Sequence, residues 1–329
     1  MAYDHEQLTN YYDLWRKLGL DQTGDSLFVF YHKKRHYVDE FKNLRGWKES
    51  PRIFLIDQES LSDQIYQCLE MDNRVYFWDS TIIDHPRFFT YLWWFDNVKE
   101  VNLAIGSLDR LVSTETKECT KIWDCLLGTP RANRIFLRSL IERDAYQKFL
   151  LQGSNNHHHS DLPNDWVPGG SHENGNNFPP FRGEQTANIA SFIPYDIYNN
   201  TWYTIVTETH PNGTQFYTEK TAKPIMSKRL FVMFGPKHAL KHLRDLGYST
   251  FDEILDESYD SIDDDVTRWT AAWQQVKYLT TQDHKLVYRK IQPVLDHNFE
   301  NFMRTNWEKK LQTQISEIIN APLPNIIPI

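Results

Sequence analysis

Thr218-Glu219-Lys220-Thr221-Ala222-Lys223-Pro224-Ile225 holds the residue types that an anion site needs. Thr218 is placed to cap a helix, which puts Glu219 and Lys220 in the first turn, where unpaired N–H groups and the helix dipole favour negative charge. Lys220 and Lys223 are three residues apart and share a helix face, adding two cations beside those donors. A phosphate suits that corner. Glu219 would repel phosphate unless it holds something else, and a ribose diol, which donates two hydrogen bonds to a carboxylate, is the natural candidate. The pattern predicts a nucleotide site with the ribose against Glu219 and the diphosphate against the lysines. Residues 216–244 carry seven basic side chains (Lys220, Lys223, Lys228, Arg229, Lys237, Lys241, Arg244) and one acid, Glu219, a local balance of +6. The plainer reading of the same residues is a solvated helix face behind a threonine cap.

A second constellation is the apolar run Ile122 to Leu127, followed by Gly128-Thr129-Pro130-Arg131-Ala132-Asn133-Arg134. Strand, glycine turn and helix is the arrangement that aims backbone N–H groups at a ligand outside the carboxyl ends of parallel strands. Arg131 and Arg134 at the start of a helix oppose its dipole, which implies an anion between them. Pairing with Glu118 or Glu142 is the alternative.

The elements that must position these residues follow from periodicity. In the first 150 residues, Leu27–Tyr31, Ile53–Ile56, Val75–Trp78, Val101–Ile105 and Ile122–Leu127 are strand-length apolar runs, with helical spacing between them such as Leu61, Ile65 and Leu69. Such alternation predicts parallel βα units in an α/β fold. A helix is expected over 132–150. Residues 152–185 are rich in Gly, Pro, Asn, Ser and His and read as a connection. Beyond it, the pattern predicts a strand at Trp202–Thr207, a helix from Thr218, a strand at Leu230–Phe234, and helices over 237–246, 266–280 and 286–320. The expected domains are 1–150, a connecting loop 151–185, a second domain 186–305, and a terminal helix and tail 306–329.

Composition sets the outer bounds. With 40% hydrophobic and 24% charged residues among 329, disorder and collagen-like repeats are excluded. The net charge of −8 comes from one stretch: residues 252–265 hold eight acids and no Lys or Arg, and the remainder balances at 36 against 36. This segment reads as a solvated face with Tyr248, Phe251, Ile254 and Leu255 buried behind it. Three cysteines are too few for a disulfide framework or a four-ligand zinc site. With no secretory signal or apolar stretch of spanning length, the expected location is cytoplasmic.

From Trp202 onward, the segments TIVTET, TEKTAKPI, FVMFG and LRDLGYSTFDEILDESYD resemble the carboxyl-terminal half of glycosyltransferases encoded by tailed phages and large DNA viruses, distant relatives of the α-1,3-fucosyltransferase family. Glu208, Thr218-Glu219-Lys220 and Phe234-Gly235 occur in the order of that family's strand end, helix start and strand end, and Cys125 to Arg134 resembles its strand, loop, Arg and helix. The resemblance covers residues 120–262. It implies a GT-B fold, two Rossmann-type domains whose parallel sheets face a central cleft, and sugar transfer from a nucleoside-diphosphate donor, inverting, with no metal and no other cofactor. Carried over by position, Glu219 after its cap Thr218 would hold the ribose, Lys220 with Lys223 the diphosphate, and Arg134 with Arg131 the diphosphate from the other side. Two departures stand out. The family's Phe-Glu-Asn is Thr207-Glu208-Thr209 here, and the Trp that follows Thr-Glu-Lys is replaced by Thr221. A non-catalytic nucleotide-sugar-binding module is the reading those departures motivate.

Inverting transfer needs a base within hydrogen-bond reach of the acceptor hydroxyl. Asp79, Asp84 and His85 follow the Val75–Trp78 run; Asp79 is favoured, against its reading as a turn-forming Asp before Ser80-Thr81. Glu208 is the other carboxylate. The acceptor implied is a glycan, with a hydroxymethylated base of phage DNA as the alternative. For DNA, the basic run Tyr31-His32-Lys33-Lys34-Arg35-His36 would meet phosphates and Trp93 and Trp94 would stack on bases; those tryptophans otherwise read as core. His157-His158-His159 cannot all face one ion and is not expected to bind metal.

Overall fold

Among the described residues every strand pairing is parallel, and the central strands of the two sheets, Arg52–Ile56 and Thr201–Val206, are buried along their whole length, which is why they read as continuous apolar runs instead of alternating ones. The computed structural model describes residues 26–30, 51–56, 62–127, 131–144, 148–153, 191–210 and 215–322. The chain forms two compact units, 1–93 with 306–329, and 94–305. The chain thus passes between units after Trp93 and after Thr305; of the composition change at 152–185, Gln152 and Gly153 end a strand and 154–185 lies outside the described residues.

In the first unit, β1 (Ser26–Phe30), β2 (Arg52–Ile56), β3 (Val75–Asp79) and β4 (Phe88–Thr90) form a sheet in that order. The helix α1 (Ser62–Met71) sets Ile65, Cys68 and Leu69, spaced at three and four residues, against Ile53, Leu55, Val75 and Phe77. The Arg87 guanidinium donates to the carbonyls of Asp72 (2.6 Å) and Val75 (3.0 Å), satisfying backbone groups at the end of α1 and start of β3.

In the second unit, β5 (Lys121–Leu127), β6 (Phe149–Gly153), β7 (Thr201–Val206) and β8 (Phe231–Met233) form a sheet in the order β6-β5-β7-β8. Around it lie α2 (Trp93–Ala104), which begins at the unit boundary, α3 (Ala132–Asp144), α4 (Tyr195–Asn200), α5 (Glu219–Met226), α6 (Ala239–Asp245), α7 (Asp265–Thr280) and α8 (His284–Arg304). The last helix, α9 (Trp307–Asn320), belongs to the first unit, where Gln314 accepts from the Trp78 indole N–H at 3.0 Å.

Three expectations are corrected. Val101–Ile105 is not a strand: 101–104 close α2, whose buried Phe95, Val98 and Asn102 lie on one helical face, and the Asn102 amide joins Val98 O, Ser191 O and Ile193 N. The helix predicted over 132–150 stops at Asp144, and Phe149–Gly153 becomes β6, paired with β5 from Trp123 to Leu127. A partner strand distant in sequence outweighs local helical periodicity there. The helix predicted over 286–320 is two, because Thr305 and Asn306 are extended and the Asn306 side chain caps Lys309 N at 2.7 Å.

Beneath the second sheet lies a buried ion pair. Asp124 on β5 accepts from Arg229 at 2.6 Å and from the hydroxyls of Thr201 and Thr204, while Arg229 also donates to Tyr198 O and Thr201 O and stacks on the Tyr198 ring. Each charge is compensated chiefly by the other and this network, with Lys117 adding to the positive charge around Asp124. Arg229→Met should therefore destabilise the second unit by about 3–5 kcal/mol in urea denaturation; a loss under about 1 kcal/mol would mean Asp124 finds another partner or protonates at little cost.

Candidate functional site

The strand order places a topological switch point between β5 and β7. The chain leaves β5 for β6 on one side and later enters β7 and then β8 on the other, so connections diverge at the carboxyl ends of β5 and β7. In open parallel sheets this is where ligands bind. Residues of the first turn of α3 reach across it. Arg134 donates to Thr207 O at 3.0 Å, and the Asn133 amide donates to Glu208 O (3.2 Å) and Phe234 O (2.8 Å).

On the far side, Glu208 ends the chain's exit from β7 with a carboxylate that is 1% exposed. One oxygen accepts from Thr218 N (3.0 Å) and the Thr221 hydroxyl (2.5 Å), the other from the Thr218 hydroxyl (2.7 Å). Glu208 thereby fastens the start of α5 to the end of β7. Thr218 is the N-cap, its hydroxyl accepting from Lys220 N. Lys220 pairs with Glu219 at 2.6 Å. Burial pushes the Glu219 pKa up, but the charges of Lys220 and Lys223 outweigh it and hold the group below its usual range. Lys223 is buried, and desolvation drops its pKa from 10.5 to about 8 despite Glu219. Burial also lowers the Arg134 pKa, opposed by Glu208 and Glu219 and reinforced by the like charge of Arg131. Arg131, Arg134, Thr218, Glu219, Lys220 and Lys223 are thus electrostatic or hydrogen-bonding neighbours within one unit.

The source of the attraction for an anion differs from the sequence reading. Most backbone donors at the start of α5 are taken: Thr218 N by the Glu208 carboxylate, Lys220 N by the Thr218 hydroxyl, and Thr221 N and Ala222 N by Thr218 O. Positive charge at this corner comes from side chains. The extended +6 excess also folds away, since Lys228 pairs with Asp296, Arg229 with Asp124, Lys237 with Asp263, Lys241 with Asp245 and Arg244 with Glu257. Residues 252–265 are accordingly more than a solvated face: Glu257 and Asp263 supply two of those ion pairs, and the Asp260 carboxylate caps Leu240 N and Lys241 N at 2.9 Å each. Tyr248, Phe251 and Leu255 are buried as expected, and Ile254 is half-buried.

The base candidates other than Glu208 lie in the first unit. Asp79 is fully buried and accepts from Thr81 N at 2.8 Å, the turn-forming geometry. Asp84 is exposed. His85 accepts from Arg87 N at Nδ1 (3.1 Å), which puts its proton on Nε2 when neutral, and burial with Arg87 lowers its pKa. Trp93 and Trp94 are half-buried at the start of α2. Glu142 pairs with Arg138, leaving Arg131 and Arg134 to other partners. Tyr31–His36, Gly128–Pro130 and His157–His159 lie outside the described residues. Sequence reasoning missed Asn133 and Thr221. An Asn inside a first helical turn, where it is a poor helix former, was the available signal.

No protein-family model matches the chain, and no curated protein matches it. Among solved structures, it is similar to one described as the crystal structure of an alpha1,3-fucosyltransferase, at 13% identity, covering 92% of each chain with a TM-score of 0.48. A likeness of that size assigns no activity.

Replacing Glu208 by Gln puts an NH2 group among three donors. The variant should lose about 1–3 kcal/mol of stability and loosen α5, read as a lowered thermal midpoint with faster amide exchange at 218–222; unchanged exchange there would show that α5 holds without the carboxylate.

Proposed function

We propose that the chain is a glycosyltransferase that takes a sugar from a nucleoside-diphosphate donor and passes it to an acceptor hydroxyl. The observation that carries this reading is the convergence of Arg134, Lys220, Lys223 and Glu219 at the switch point of a parallel sheet. As the bond from the anomeric carbon to the diphosphate breaks, negative charge grows on the leaving oxygen. Cations already held in place by Glu208, Thr207 and Glu219 stabilise that charge without reorganising. Glu219 receives the ribose hydroxyls, and these side chains take the part a metal would otherwise play. The resemblance of residues 120–262 supports inversion and a glycan acceptor.

Glu208 has its oxygens engaged by α5 and is assigned to positioning. Removal of the acceptor proton falls to Asp84, the exposed carboxylate after β3. Asp84→Ala should lower kcat by about 10²- to 10⁴-fold while the donor KM holds; unaltered kcat would transfer that role elsewhere.

Donor binding is the direct test. A thermal-shift screen with UDP, GDP and dTDP selects the ligand, because one that binds only the native state raises the melting temperature. In calorimetry, Glu219→Ala and Lys220→Ala should each weaken it roughly 10- to 100-fold, the worth of a charge-assisted hydrogen bond. Unchanged affinity in both would end the assignment. The same titration has a proton signature. Free Lys223 loses its proton near pH 8, and a bound diphosphate favours the ammonium, so binding just above that pH should take up protons. The observed enthalpy should then vary with buffer ionisation enthalpy, and Lys223→Met should abolish the variation.

A further inference from the structure

We propose that Asn133 is the positioning residue of the diphosphate site, aligning Arg134 with the opposing α5 corner; this rests on the donor-binding reading above. Asn133 is fully buried. Its Oδ1 accepts from Arg134 N at 2.9 Å, and its Nδ2 donates one hydrogen to Glu208 O and the other to Phe234 O. One amide thus ties together the segments that follow β5, β7 and β8. Few side chains can make this junction, since it needs two donors for two carbonyls and one acceptor for an N–H on the same short, planar group. Aspartate would turn a carboxylate toward two carbonyl oxygens, and an apolar residue would leave three buried polar groups unsatisfied.

The junction matters because it continues into the site on both sides. The backbone of Glu208 is held by Asn133, while its carboxylate holds Thr218 and Thr221, and Thr218 in turn accepts from Lys220. The path Asn133, Glu208, Thr218, Lys220 sets the cations of α5 relative to Arg134, whose own backbone N–H rests on Asn133. A diphosphate gripped from two sides depends on that separation, because charge-assisted hydrogen bonds weaken steeply as distance and angle depart from their optimum.

A double-mutant cycle tests this, comparing wild type, Asn133→Ala, Arg134→Ala and the double variant for affinity toward the selected nucleoside diphosphate and its parent nucleoside. Asn133→Ala should weaken the diphosphate about tenfold and change nucleoside affinity by less than about twofold. In the Arg134→Ala background, the same substitution should cost less than about twofold. Equal losses for nucleoside and diphosphate, or full additivity with Arg134→Ala, would overturn the positioning role and leave Asn133 a matter of stability alone. Diphosphate affinity unaffected by Arg134→Ala would instead overturn the donor-binding reading itself. Should Asn133→Ala not fold, Asn133→Asp carries the test: relative to wild type, its diphosphate affinity should recover as pH falls toward the carboxyl pKa and one donor is restored. A flat ratio across pH would count against the proposal.

Discussion

The Glu208 carboxylate is the constraint on which the site depends. A charged group this far from water is tolerable only when hydrogen-bond donors replace its hydration, and here all three come from the first turn of α5 and its cap. Satisfying Glu208 therefore obliges α5 to start at the carboxyl end of β7. Once it does, Glu219, Lys220 and Lys223 are delivered to the same place where Arg134 arrives from α3. Four cations, Arg131, Arg134, Lys220 and Lys223, then stand against two carboxylates, Glu208 and Glu219. Among these six side chains the balance is +2, in surroundings dry enough to depress the pKa of Lys223 and Arg134.

The neutralisation of everything around this cluster gives it meaning. Along the chain, the basic stretch 216–244 and the acidic stretch 252–265 look like a polarised surface. In the folded unit they lie against each other, and Lys237, Arg244 and the start of α6 take their counter-charges from Asp263, Glu257 and Asp260. Exposed pairs of this kind contribute little stability, yet they cancel the long-range field. Of the basic side chains in 216–244, Lys220 and Lys223 are the ones at this strand junction, partly desolvated, where each charge interacts more strongly than it would in water.

Much of the second unit was legible in the residues. The β7 and β8 runs, the Thr218 cap and the glycine after β8 are local signals, each set by chain sterics or by a hydrogen bond spanning a few residues. The failures share a cause. Val101–Ile105 has strand composition but closes α2, where Asn102 is its buried member and Leu103 faces solvent. Phe149–Gly153 has helical neighbours but a waiting partner in β5. Thr305–Asn306 breaks a continuous helical pattern because the Asn306 side chain caps a new helix at Lys309 N, a local bond that leaves the apolar spacing on either side intact.

By itself, the sequence determined which groups were available: a capped helix with glutamate and lysine in its first turn, two arginines after an apolar run, and parallel α/β elements to carry them. Only the tertiary structure decided how those groups act. It consumed the helix N–H donors expected to meet an anion, turned Glu208 into an anchor, and enlisted Asn133 to join three strand ends. Local spacing can specify a cap or a face, but the partners of a buried polar atom lie far along the chain, as Phe234 does from Asn133, and those choices are made only when the strands pair.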